Sequence, residues 1–188
     1  MSAFEIRTAR VEDAARLSRI YAHYVENTAV SYEYEAPDET EFQRRIGATL
    51  KKYPYLVAEH EGLILGYAYA GAFNTRTAAD RTAEVSIYVA PDMRRGGLGR
   101  ALYGRLEDIL RELGYQVLIA KVAFCDRDDD PYLSRDSIEF HTHCGYRNVG
   151  AVEHCGYKFG RWYGLMFMQK DIGSFPDVPE SVRAFGEA

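Results

Sequence analysis

Residues 84–113, EVSIYVAPDMRRGGLGRALYGRLEDILREL, decide how the rest of this chain is read. Glu84 to Val89 is a short, β-branched, apolar run, which is strand composition. Pro91-Asp92 closes it, and Arg94-Arg95-Gly96-Gly97-Leu98-Gly99-Arg100 follows as a basic, glycine-rich loop. Leu98, Ala101, Leu102, Leu106, Ile109, Leu110 and Leu113 then recur at spacings of three and four, the apolar stripe of a helix. Strand, glycine loop and helix in this order build an anion site. Unpaired N–H groups at a helix start face the ligand, and the helix dipole favours negative charge there. Glycines allow close backbone approach, and the three arginines add fixed charge.

Outward from this unit the chain reads as a single α/β domain over residues 1–173. Phe4 to Arg7 alternates as a strand, and Ala14, Leu17, Ile20, Tyr21 and Tyr24 form a helical stripe. Val30 to Tyr34 is an edge strand or extended loop. Asp38 with Glu41 begins a helix that buries Phe42, Ile46 and Leu50 and ends at Pro54. Tyr55–Glu59 and Ile64–Ala72 are strands joined by a hairpin at Glu61-Gly62. After the central unit, Val117–Phe124 completes a strand–helix–strand arrangement, which predicts a parallel pair. Asp126–Pro131 reads as an acidic surface loop, Ser134–Cys144 as a short helix, and Val149–Glu153 and Trp162–Gln169 as the last strands. The tail, 174–188, lacks periodicity and is expected to be poorly ordered.

The balance of 23 basic to 28 acidic residues argues against general nucleic-acid binding. Basic character is concentrated in the 94–100 loop, which suits a small phosphorylated ligand. No apolar run is long enough for a signal peptide or a membrane span. Cys125, Cys144 and Cys155 have no secreted framework spacing, so a reduced, cytoplasmic setting is expected.

Other phosphate loops fail on residue type. A P-loop needs Lys-Ser or Lys-Thr after its second glycine, and a dinucleotide fingerprint needs glycine or alanine where Leu102 stands. Asp126-x-Asp128-x-Asp130 imitates an EF-hand start, but Pro131 occupies the obligatory glycine position and Ser137 the closing glutamate position. His141, His143, Cys144, His154 and Cys155 match zinc ligands by type. His141 and His143 would diverge on a helix, however, so no metal site is expected.

What remains, Arg-x-x-Gly-x-Gly at 94–99 between a strand and an amphipathic helix, resembles the pyrophosphate loop of the GNAT superfamily of acetyl-CoA-dependent N-acetyltransferases. Tyr53–Glu59, Gly66–Gly71, Thr82–Val89 and Gly156–Trp162 carry a narrower resemblance to its phosphinothricin acetyltransferase branch. The resemblance implies a GNAT-like acyltransferase fold, with a mixed, mostly antiparallel sheet between helices. It also implies acetyl transfer from acetyl-CoA to the primary amine of a small amino acid or analogue, by a homodimer.

It further implies roles for particular residues. The backbone of Ile87, Tyr88 and Val89 would bind the pantetheine as an added strand. Arg94, Arg95, Gly96, Gly97, Leu98, Gly99 and Arg100 would hold the pyrophosphate. Ser134 and Ser137 join the cofactor-binding set, Ser134 standing where the branch usually has an asparagine. Glu84 would be the general base, since an amine must be neutral to attack a thioester. His141 would assist the departing thiolate by proton transfer or a hydrogen bond. Arg76 would pair with the acceptor's carboxylate, with Tyr32 and Glu33 as a further wall. Ala79, Phe159 and Tyr163 depart from the branch around the acceptor pocket. Those departures keep open a protein N-terminus, a polyamine or an antibiotic amine as acceptor, or a non-catalytic acetyl-CoA-binding module.

Overall fold

The structure, a computed structural model, describes residues 4–93 and 96–187. Seven strands form one sheet in the order β1-β2-β3-β4-β5-β7-β6. They are β1 (Glu5–Thr8), β2 (Tyr55–His60), β3 (Leu63–Ala72), β4 (Thr82–Val89), β5 (Val117–Phe124), β6 (Arg147–Lys158) and β7 (Arg161–Asp171). Four α-helices accompany them: α1 (Ala14–Asn27), α2 (Glu39–Leu50), α3 (Leu98–Glu112) and α4 (Asp136–His143). Every pairing is antiparallel except β4–β5, the pair the strand–helix–strand reading predicts. Among the described residues no helix is long and apolar enough to cross a membrane.

Strand alternation divides the core in two. One face of β4 carries Ala83 and Val85 into a cluster with Leu98, Leu102, Leu106 and Leu110 of α3. The other face meets α1 and α2, where Leu17, Ile20, Phe42 and Ile46 pack on Val57 and Tyr67. That second face explains many of the tyrosines. Tyr55 stacks on Tyr69 at 4.8 Å between ring centroids, and Tyr67 lies 5.4 Å from Tyr88. The aromatic rings make a rigid floor beneath the helices.

Local chemistry sets the boundaries. Asp38 Oδ1 accepts the Glu41 amide at 2.8 Å and so caps α2. Glu61 and Gly62 both have positive φ, which turns β2 into β3 with the hand a two-residue hairpin requires. Val30–Tyr34 forms no strand. The last hairpin is longer than its pattern indicates, because Phe159 (φ 51°) and Gly160 (φ 72°) make a second such turn. Among the described residues beyond Ile172 there is no strand or α-helix, yet the segment is tied down at several points. Arg81 donates to the Pro179 and Glu180 carbonyls, the Arg183 amide bonds Leu113, and the Phe185 amide bonds Lys52.

The loop 126–131 departs from the expected solvated acidic run. The Asp130 side chain is shielded from solvent: Oδ1 accepts the Tyr132 amide and Tyr163 hydroxyl, and Oδ2 accepts Arg127 and Arg161. Burial alone would raise this carboxyl, but these bonds together hold it below the ordinary aspartate value.

Candidate active site

The β4–β5 ladder runs from Thr82–Val117 to Val85–Ala120 and then stops. Beyond it β4 stays with β3, while β5 stays with β7 as far as Phe124. The two strands therefore part like a wedge, and a cavity of about 50 Å³ lies in the gap. Val85 and Val122 line it from one face of the sheet, and Ser86 and Lys121 from the other, so it passes through the sheet plane. The Ala90 amide bonds Leu65 on β3 at 2.8 Å. Alternation then turns the N–H and C=O of Ile87 and Val89 toward the gap and those of Tyr88 toward β3. At Val89 the Tyr24 hydroxyl occupies this edge, donating to the carbonyl at 2.6 Å and accepting the amide at 3.3 Å. Ile87 is thus the central backbone edge on the gap, and Tyr88 contributes its ring to the α1 side.

Glu84 sits at the root of the wedge, opposite Gly71 on β3 and Ile119 on β5. Its carboxylate Oε2 lies 2.6 Å from Lys121 Nζ, with both side chains partly exposed. Lys121 is two residues past Ile119, on the same face, and also lines the gap. It was not among the residues singled out from sequence, although a lone charge inside VLIAKVAF was the available signal. On the other side of Glu84, Tyr69 stands opposite Ser86 across the β3–β4 pair. Gly71 leaves room beside Glu84, since a Cβ there would meet nothing within 4 Å. Tyr69 also lines a second cavity of about 230 Å³ under α2, together with Tyr21, Arg45 and Thr49.

At the mouth of the wedge α3 begins. Arg94 and Arg95 lie outside the described residues. Gly96 and Gly97 are exposed, and Gly97 caps the helix with φ 79°, a conformation that favours glycine. Ala101 is the first residue to bond back along the helix, to the Gly97 carbonyl at 3.1 Å. The amides of Leu98, Gly99 and Arg100 are therefore outside the helix's own ladder, as an anion site needs. Leu98 is buried and Arg100 exposed. Gly99 has a packing task as well: a Cβ there would lie 3.0 Å from the Phe140 ring. Its missing side chain lets α4 pack against α3.

α4 brings His141 and Ser137 to the gap, and Tyr103 of α3 lines it beside them. His141 is buried, and desolvation pushes its imidazole below 6.5 against the opposing effect of the Ser137 carbonyl. That carbonyl, 2.7 Å from Nδ1, can only accept, so Nδ1 carries the proton. Nε2 then accepts from the Tyr103 hydroxyl at 3.0 Å. Both ring nitrogens are committed, and a neutral imidazole held this way has no N–H to offer a thiolate. Proton transfer or a hydrogen bond from His141 to the thiolate would require one of these two bonds to open. Ser134 is exposed and accepts the Asp136 amide at 3.4 Å. His143 turns to the Glu139 carbonyl instead, so the two histidines diverge.

The remaining acceptor-side residues do not converge on one point. Arg76 is exposed, with no side-chain partner among the described residues, in the turn that links β3 to β4. Tyr32 packs flat against Gly156 and donates to the Gly164 carbonyl at 2.7 Å. Glu33 is paired with Arg45 of α2 at 2.9 Å. Phe159 stacks on Tyr132 at 4.1 Å, and Tyr163 is buried on Asp130, so both branch departures serve the last hairpin. Lys158, also unforeseen, is buried and donates to the carbonyls of Val25, Thr28 and Ser31, fastening that hairpin to the end of α1.

A family model described as the acetyltransferase (GNAT) domain matches residues 6–167. The phosphinothricin N-acetyltransferase of Alcaligenes faecalis is 35% identical over 170 residues, which is 90% of this chain and 83% of that protein. An L-amino acid N-acyltransferase of Escherichia coli is 35% identical over 171 residues, 89% of this chain and 93% of that protein. Among solved structures, a GNAT superfamily phosphinothricin acetyltransferase from Sinorhizobium meliloti, in complex with acetyl-CoA, superposes with a TM-score of 0.83. It is 34% identical, and the match covers 94% of this chain and 93% of that one.

Proposed function

The chain belongs to the GNAT family of acetyltransferases, and on that premise we propose that its acceptor is a small amino acid or amino-acid analogue with a primary amine. It is an acetyl-CoA-dependent N-acetyltransferase. The observation that carries the acceptor side is Glu84, at the root of the wedge beside the open space over Gly71. A Cβ on Gly71 would meet nothing within 4 Å, and the acceptor is assigned to that side of the Glu84 carboxylate. The relatives' acceptors are of this size: phosphinothricin for one, L-amino acids for another.

In this reading Glu84 binds the acceptor's ammonium and takes its proton. The neutral amine attacks the acetyl carbon directly, with no acyl-enzyme. The Ile87 backbone holds the pantetheine arm, and the 94–100 loop with the first amides of α3 holds the pyrophosphate. Acetyl-CoA supplies the activated acetyl group. Arg76, free to swing from its turn, is assigned to the acceptor's carboxylate. His141 positions Tyr103 in the wall of the gap.

Assaying CoA release against a panel of amino acids, amino-acid analogues, peptides and polyamines tests the reading. Turnover is expected with amino acids, and activity confined to peptides or polyamines would overturn it. A site-specific check is Gly71→Leu. The added side chain has room, so the fold should persist. The acceptor's KM should rise at least about tenfold while that of acetyl-CoA changes less than about twofold, because bulk placed next to Glu84 excludes only the acceptor. An unchanged acceptor KM would move the acceptor elsewhere.

We also assign the protein to the cytoplasm as a homodimer. Its three cysteines are free thiols, which fits a reducing compartment. Val149, Val152, Tyr157 and Trp162 are exposed on the terminal β6–β7 hairpin, an apolar edge suited to a second copy. Light scattering should give twice the chain mass.

A further inference from the structure

The carboxylate assigned as base already holds a cation. Glu84 Oε2 and Lys121 Nζ are 2.6 Å apart, and neither is sealed from solvent, with side chains 27% and 36% exposed. Lys121 is the one charged residue of β5, set among Ala120, Val122 and Ala123, which are buried. Lys121 is exposed, and it turns along the face it shares with Glu84, at the point where β4 and β5 separate, and lines the gap. The other titratable group on this part of the sheet is the Tyr69 phenol, opposite Ser86 on the neighbouring strand. Lys121 is therefore the charged neighbour that matters to this carboxylate.

We propose that Lys121 is a resident counter-cation of Glu84 that the acceptor's ammonium must share or displace, and that this makes it a positioning residue for acetyl transfer. This inference rests on the acceptor reading above. The amine arrives protonated, since amino groups with pKa of about 8 or more are largely cationic at neutral pH. Bound to a carboxylate alone, such an ammonium is stabilised in its charged form, which cannot attack a thioester. A second cation on the same carboxylate has two opposing effects. It weakens binding of the ammonium and makes loss of its proton easier; because the same cation also lowers the basicity of Glu84, the proton leaves nitrogen by way of the carboxylate for solvent and does not come to rest on it. Lys121 gives up acceptor affinity in exchange for a larger fraction of reactive, neutral amine. It also keeps the carboxylate aimed and ionised between turnovers.

Removing the charge should then move binding and turnover in opposite directions, which a merely structural residue would not do. In Lys121→Met the acceptor is expected to bind about threefold to tenfold more tightly, by calorimetry on protein saturated with CoA, while kcat falls about tenfold. Affinity for acetyl-CoA should stay within about twofold of the parent. Lys121→Arg, which keeps the charge, should restore most of kcat and the weaker acceptor binding. A weaker acceptor in Lys121→Met would overturn the proposal and make Lys121 a direct ligand of the acceptor's acid group. Unchanged binding and turnover, or an equal loss of acetyl-CoA affinity, would overturn it too. If the parent acetylates no amino acid in the panel, the acceptor reading fails and takes this inference with it. If the parent is active and the opposed shifts are absent, the inference alone fails.

Discussion

Glu84→Gln is expected to lower kcat by about 10²–10⁴-fold, the usual contribution of a positioned general base. Glutamine preserves the length and planarity of the side chain but cannot take a proton from an ammonium. The variant should remain folded. The Glu84–Lys121 pair is partly exposed, and such pairs contribute about 0–1 kcal/mol. Acetyl-CoA affinity should change by less than about twofold, because the pieces assigned to it are backbone edges and the helix start. Those are the gap side of Ile87 and the amides of Leu98, Gly99 and Arg100, and none depends on the Glu84 side chain. Single-turnover kinetics with calorimetry of acetyl-CoA separates the two quantities. A parallel loss of affinity and turnover would make Glu84 structural, and retention of turnover would pass the base role to another group.

The wedge was legible because its parts are local. A strand, a breaker, a glycine loop and an amphipathic helix follow one another within residues 84–113, and the next apolar run supplies the parallel partner. The caps were legible for the same reason: Asp38 acts on an amide three residues away, and Glu61-Gly62 turns on itself. Features set by distant residues were not. Asp130 sits in a run of like charges that reads as solvated, and its burial depends on Arg161 and Tyr163 across the hairpin. Lys158 finds its carbonyl acceptors more than 120 residues earlier. Gly99 looked like part of the phosphate cradle, and only the position of Phe140 reveals a packing role. His141 lines the gap, and its chemistry depends on a carbonyl and a phenol that spacing does not disclose. Lys121 was visible as an odd charge in an apolar strand. Its meaning required knowing which way the strand faces.

The largest expected effect on stability belongs to Asp130. In Asp130→Ala, the Tyr132 amide and the buried Tyr163 hydroxyl lose their acceptor, and two guanidiniums lose their counter-charge. Arg127 and Arg161 are 44% and 38% exposed and can turn to water, which limits the cost of their release. The orphaned amide and hydroxyl cannot, so a loss of about 2–4 kcal/mol follows. For a chain of this size that corresponds to a fall in Tm of roughly 5–15 °C. Asp130→Asn divides the site in half. An amide oxygen at Oδ1 can still accept from Tyr132 and Tyr163, whereas an NH₂ at Oδ2 meets two arginine donors. Its destabilisation should therefore be smaller than that of alanine and should arise from the charged half. The pH dependence checks this division. Because the folded carboxyl is held below its ordinary value, its contribution is complete above the unfolded value, about 3.9, and disappears as pH falls through the folded one. The stabilities of the parent and Asp130→Asn should thus differ at pH 7 and draw together below about pH 4. A gap that persists undiminished to pH 2 would assign the effect to shape rather than charge. Since Tyr163 packs with Ala29, Ala123 and Leu133, and Ala123 lines the gap, the alanine variant should also raise the acceptor's KM at temperatures where it remains folded. The loop that carries Asp130 thereby ties the stability of the last hairpin to the wall of the active site.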